Sequence, residues 1–324
     1  MNNRQRFNLT LNKGLPDRVP LFSEGIRNDI IRRWRSQGLG HRSLAELIVM
    51  DSYELIGPEL DPIPYPKHWP ETSAELKKLA KTFNPTDHRR YPVGWIKKYK
   101  ALHKRDIVTF LCIHQGFFLS MGVDGWGRFE TVIDLLNSNP MLVHAQMNMF
   151  SDFSQRIIKN ILDSCAVDAV YFSEPISGND RPLLSPKMYE DFVLRSYLPI
   201  IDIVKKNNIS IIVFQTYGNI RPLLGSILEA GFTCLWSCET NAPAMDYKNI
   251  RKIFGPDLGL IGGIDLNMLR QGKKSIDQEL EQKLPELLHQ GNYIPLANGR
   301  VRADIPFENY LYYRKKLYSM VTKG

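Results

Sequence analysis

Eight short apolar runs in this chain each stop at a residue able to do chemistry. In order they are Glu24, Asp61, His114 with Gln115, Glu174, Gln215 with Tyr217, Glu239, Asp265 and Asn298. A glutamate shielded from water can be raised towards neutrality and donate a proton, which makes Glu174 and Glu239 acid–base candidates. Tyr217 could donate to a developing carbanion or enolate, with Gln215 supplying hydrogen bonds. Arg27, Arg181, Arg221, Arg300 and Arg302 lie in the loops that follow such runs and suit a carboxylate or phosphate. His114 and Asn298 are further substrate-binding candidates, and Trp126 offers an apolar wall. Taken singly, each could be a helix cap, a sheet contact or a surface arginine. Their recurrence at one end of successive runs is the stronger signal.

The runs read as strands of a parallel sheet. Ile209 to Asn219, ISIIVFQTYGN, is the densest, with the β-branched content of a strand buried on both faces. Others are expected over 18–24, 53–64, 107–114, 167–174, 232–239, 258–265 and 292–298, mostly alternating with helical patterns. A helix over 1–17 precedes them, and a helix over 43–50 is expected between the first two strands. Pro58 weakens the second strand. Residues 62–105, rich in proline and positive charge, read as a loop and helix insertion after that strand, a lid candidate. Eight alternating units with no linker predict an α/β fold, a single (β/α)8 TIM barrel spanning 1–324, with the pocket at the C-terminal strand ends. An open doubly wound sheet is the alternative, but no GxGxxG follows the first strand.

Composition narrows the classes. At 43% hydrophobic and 23% charged residues, the 324-residue chain has a globular profile. It contains no long apolar run and opens without an apolar signal region, and its four cysteines form no CxxC pair, so a reduced cytoplasmic protein is expected. The net charge of +8 is dispersed, and its densest clusters, Arg32–Arg35 and Lys97–Lys100 with Lys104–Arg105, sit in no nucleic-acid module. Neither nucleic acid nor membrane is expected as a partner; a small anionic substrate is, and a homodimer is compatible.

The segments RQRFNLTLNKGLPDRVPLF, SEPISGNDRPLLSPKMYEDFVLRSYLPI, YGNIRPLL, EAGFTCLWSCETNAPAMD, LGLIGGIDLNMLRQG and GNYIPLANGRVRADIPFENYLYY run in one order over nearly the whole chain. In that order the chain resembles the uroporphyrinogen decarboxylase superfamily, which includes methyltransferases working through corrinoid proteins. The tail and the Trp34–Leu39 element look closest to the methyltransferase and demethylase-like branch. The resemblance implies a (β/α)8 barrel. It also exposes departures. Where such methyltransferases place zinc ligands, this chain has Gln215 and Tyr217, poor ligands for that ion. Near the last strand it has Ala297–Asn298 in place of a histidine-bearing pair. The decarboxylase's arginine-rich loop is reduced to Arg27 within Glu24–Asp29. The resemblance therefore implies three readings: a metal-independent decarboxylase-like lyase with no cofactor, a corrinoid-linked methyltransferase whose zinc site has moved to Cys238, Glu239 and His114, or a non-catalytic binding barrel.

Overall fold

The computed structural model describes residues 1–238 and 243–322, apart from the Pro243 side chain. Among the described residues it is an α/β fold of seven strands: β1 (Tyr53–Ile56), β2 (Val108–His114), β3 (Ala169–Glu174), β4 (Ile212–Tyr217), β5 (Cys234–Cys238), β6 (Gly259–Ile264) and β7 (Tyr293–Ala297). Seven of the eight expected strands are therefore present, and a closed eight-stranded barrel is not seen. The chain divides into two compact units. One comprises Met1–Tyr53, Asp106–Val108 and Cys234–Gly324, the other Glu54–Arg105 and Thr109–Thr233. Among the described residues no helix is long and apolar enough to cross a membrane.

In the unit holding Thr109–Thr233 the strand order is β1-β2-β3-β4. β2 runs parallel to β3 and β3 parallel to β4, with Phe110 beside Ala169 and Ser173 beside Gln215. β4 is buried through Thr216 and emerges only at Tyr217. Helix Pro140–Leu162 covers this sheet, started by the Asn139 side chain and by proline in its first turn. β1 is shorter than expected. Next to its end, a Cβ on Gly57 would come 2.8 Å from the Cys112 carbonyl oxygen, and Pro58 follows. The insertion after it contains helices Ser73–Ala80 and Trp95–Lys104. Buried Arg90 gathers its irregular backbone, donating to the carbonyls of Asn84 (2.8 Å), Glu59 (2.8 Å), Asp61 (2.6 Å) and Thr82 (2.5 Å).

In the other unit, β5-β6-β7 are parallel, with Trp236 beside Ile261 and Ile261 beside Ile294. The N-terminal helix is shorter than expected, Asn3–Leu11, opened by a reciprocal Asn2–Gln5 cap. Residues 43–50 form only a 3-10 turn, Leu44–Glu46. The expected strand over 18–24 does not form. Its Leu21 and Phe22 are fully buried as expected, but its backbone finds other partners. Arg314 donates to the carbonyls of Phe22 (2.6 Å), Leu21 (3.0 Å) and Val49 (3.0 Å). Asp51 accepts from the Leu21 amide at 2.7 Å. Side chains thus supply what a neighbouring strand would have supplied. The same guanidinium lies 3.4 Å from Glu24, whose two oxygens also accept from Tyr310 (2.9 Å) and Tyr313 (2.8 Å).

Replacing Arg314 by methionine keeps its bulk but strands the Phe22 and Val49 carbonyls and the Glu24 charge, while the Leu21 carbonyl keeps the Asp51 amide at 3.0 Å. Urea unfolding should show a loss of about 3–5 kcal/mol. A loss below about 1 kcal/mol would show that this cluster does not hold the segment.

Candidate functional site

The strand ends of the unit containing β2, β3 and β4 carry most of the expected site. β2 delivers His114, which is buried. Its Nδ1 accepts from the Gly116 amide at 2.9 Å, so the ring proton resides on Nε2. Burial pushes the imidazole down to about 3, which keeps it neutral. The ring packs against Tyr197 and Phe172 rather than facing solvent. Gln115, half-buried, donates to Asp61 at 3.1 Å.

Glu174 closes β3 and has no exposed surface. Its Oε1 accepts from the Phe117 amide at 2.9 Å. Its Oε2 accepts a short hydrogen bond from the Tyr197 hydroxyl, with Tyr189 at 3.5 Å. Burial pushes the carboxyl up to about 7, against those three hydrogen bonds, which act the other way. Burial, then the Glu174 charge, hold both tyrosines well above their usual range, so they remain donors. The two tyrosines lie either side of a π turn, Glu190–Leu194. One α turn plus one wider π turn brings residues i and i+8 onto one face. The carboxylate pins the turn after β2, where a Cβ on Gly116 would sit 2.8 Å from Glu174 Oε1.

β4 delivers Gln215, buried and accepting from Ser173 Oγ at 2.9 Å, and then Tyr217, which is 42% exposed. The loops after β3 and β4 are joined. Ser177 Oγ donates to the Tyr217 carbonyl (2.5 Å), the Asn219 amide to the Gly178 carbonyl (2.8 Å) and Asn219 Nδ2 to the Asp180 carbonyl (2.9 Å). Gly218 has φ 71°, and any Cβ there would strike the Gly178 carbonyl. Arg181 and Arg221 are exposed on these two joined loops, and neither has an acidic partner among the described residues. Trp126 stands 81% exposed, with Phe129 of its own helix as ring partner, and is not brought to the strand ends.

The unit containing β5, β6 and β7 holds the remaining candidates. Asn298 is buried and accepts from the Gly263 amide at 3.1 Å, tying the end of β7 to β6. Tyr247 does the same between β5 and β6, accepting from the Ser237 amide (2.9 Å) and donating to the Ile261 carbonyl (2.6 Å). Arg300 is exposed, and a Cβ on Gly25 would lie 3.8 Å from its Cγ, which sets the loops after Glu24 and Asn298 side by side. Arg27 is engaged with Asp29 (3.1 and 3.0 Å), and Arg302 donates to Asn267 at 3.3 Å. Burial, with Glu24 nearby, pushes Tyr53 up to about 12. Glu239 lies outside the described residues. Among the described residues no group of three His, Cys, Asp or Glu side chains is arranged to hold a metal. The amide of Gln215 and the phenol of Tyr217 do not fit zinc either.

The four tyrosines and Arg314 around the two buried glutamates were missed by sequence reasoning. The signal for one group was present: Tyr310, Tyr313 and Arg314 in NYLYYRKK fall at i, i+3 and i+4 on one helix face. For Tyr189 and Tyr197 no regular period would have paired them.

A parallel α/β fold with polar residues at the C-terminal strand ends is an enzyme architecture of the barrel-derived type. The chain belongs to the uroporphyrinogen decarboxylase (URO-D) family, whose model matches residues 119–311. That membership points to an enzyme of decarboxylase or methyltransferase type. Comparison with curated proteins returns no match.

Glu174→Gln tests the buried carboxyl. Because its folded value of about 7 lies above the usual 4.5, the folded state holds the proton more tightly. Its contribution is therefore fully present below about 4.5 and is lost as pH rises through about 7. The stability of wild type relative to the variant should fall by about 3 kcal/mol between those limits. The opposing slope from His114 is common to both proteins and cancels. A pH-independent difference in urea midpoints would show that Glu174 titrates normally.

Proposed function

We propose that the chain is a decarboxylase-like lyase acting, without a metal, on a small substrate bearing a carboxylate. One observation carries this: Arg181 and Arg221, with no acidic partner among the described residues, flank the solvent-facing Tyr217 on two loops hydrogen-bonded to each other. Unspent guanidinium groups on braced loops suit recognition of a carboxylate. Arg300 is a third arginine without an acidic partner among the described residues and extends the same preference.

In the proposed step the bond between the α-carbon and the leaving carboxyl breaks, and the electron pair stays on carbon as CO2 departs. Tyr217 gives its phenolic proton to that carbon and recovers one from water. Gln215, oriented by Ser173, supports the developing charge. Glu174 acts as a positioning residue. Its oxygens are occupied by Phe117, Tyr189 and Tyr197, and through them it holds the β2 turn and the helix behind it. His114, neutral and packed on Tyr197, contributes shape rather than charge.

The test is CO2 release from a panel of small di- and tricarboxylic acids. Tyr217→Phe should lower kcat by about 10²–10⁴-fold with KM little changed. Arg221→Ala should raise KM by roughly 30-fold or more, the equivalent of about 2 kcal/mol. Full turnover by Tyr217→Phe would remove the proton-donor role. Methyl transfer to free cobalamin without CO2 release would replace the lyase reading by the methyltransferase one.

A further inference from the structure

The helix Trp95–Lys104 in the insertion presents a surface that the proposed chemistry does not use. Its inner face is closed by buried Tyr99 and Leu102. Beside it lies a groove of about 780 Å3, lined by Gly94, half-buried Trp95, Ile96, Ala101 and the lysines 97, 100 and 104. The floor is apolar and rigid, since Trp95 stacks on Tyr91 at 4.9 Å and meets Tyr99 edge-on at 5.6 Å. Ile96 is 40% exposed, and Val93, just before the helix, is fully exposed. Residues 88–105 contain no Asp or Glu. Lys98 is engaged with Glu54 at 3.0 Å, whereas Lys97, Lys100 and Lys104 have no acidic partner among the described residues. Their spacing of three and four residues aligns them in one row about 10 Å long.

From this juxtaposition of an apolar floor and an unneutralised lysine row we infer that the groove docks an acidic amphipathic helix of another protein. Such a helix offers carboxylates at i, i+3 and i+7, matching the lysine row turn for turn, and its apolar face covers Trp95 and Ile96. Charge complementarity selects this occupant. Nucleic acid would meet the lysines but leave the apolar floor unmatched, and a flat anionic lipid surface would not fill a groove. A second copy of this chain fits poorly, because the acidic residues of its helix Lys273–Gln290 include Glu279, Glu281 and Glu286, already engaged by Lys283, Lys316 and Lys248.

The test uses a synthetic amphipathic peptide with glutamates at i, i+3 and i+7 and leucines on the adjoining face, followed by fluorescence anisotropy with the full-length protein. Binding should weaken as salt rises from about 50 to 300 mM. It should fall roughly tenfold in Lys97→Glu/Lys100→Glu, and stay unchanged in Arg32→Glu/Arg33→Glu. A peptide of the same composition with scrambled spacing should bind roughly tenfold weaker than the ordered one. Should the charge-reversed protein lose its thermal transition, Lys97→Gln/Lys100→Gln replaces it, with a smaller loss expected. Equal binding of the scrambled peptide, or equal binding by the lysine variants, overturns the inference. So does tighter binding to phosphatidylserine vesicles or to a single-stranded oligonucleotide.

Discussion

Irregular backbone inside a core must find hydrogen-bond partners, and this protein supplies them from buried arginines. Arg314 collects the carbonyls of Leu21, Phe22 and Val49, and Arg90 those of Glu59, Asp61, Thr82 and Asn84. Arg251 donates to Leu258 at 2.7 Å and reaches Gly291 and Asn292. A planar guanidinium with five donors can close several such accounts at once, which an ammonium cannot do in that geometry. Stretches that are neither helix nor strand are thereby fixed against the core.

A second constraint acts on charge. Among the described residues each unit buries one glutamate, Glu24 in an irregular segment and Glu174 at the end of β3, and each meets it with two tyrosine hydroxyls. Glu24 has Tyr310, Tyr313 and the Arg314 charge, while Glu174 has Tyr189, Tyr197 and a backbone amide but no cation among the described residues. The difference shows in the carboxyl of Glu174, which burial drives upward for want of a compensating positive charge. A group poised in this way can hold or release a proton near neutrality without contacting solvent.

These two devices separate framework from surface. The polar residues at the ends of β2 and β3 are largely spent on internal bonds, and Asn298 is spent on β6. Tyr217, Arg181 and Arg221 stay outward, on loops joined to each other by main-chain contacts and by Gly218, which admits no side chain. Rigid loops presenting unspent charge are what a binding surface requires, since little ordering remains to be done when a ligand arrives.

Hydrophobic pattern alone located seven strands, six of them to within about three residues at each end, because a parallel strand buried on both faces must be a continuous apolar run; β1 stops eight residues short of its expected end. It also determined the long helix opened by Asn139 and Pro140, where cap and proline act locally. The order of the family's segments determined membership. The run over 18–24 is as apolar as the strands, yet whether it pairs depended on Arg314, nearly three hundred residues away in sequence, and on Asp51. No local pattern encodes that competition. Likewise, Glu174 and Tyr217 look equivalent as strand-end residues, but only packing buries one and exposes the other. Arg27 and Arg221 are equally charged in sequence, and only the fold sets Asp29 against the first and leaves the second without an acidic partner among the described residues. Burial and pairing are properties of three-dimensional neighbours, so residue type announced what chemistry was available and tertiary structure decided where it could be used.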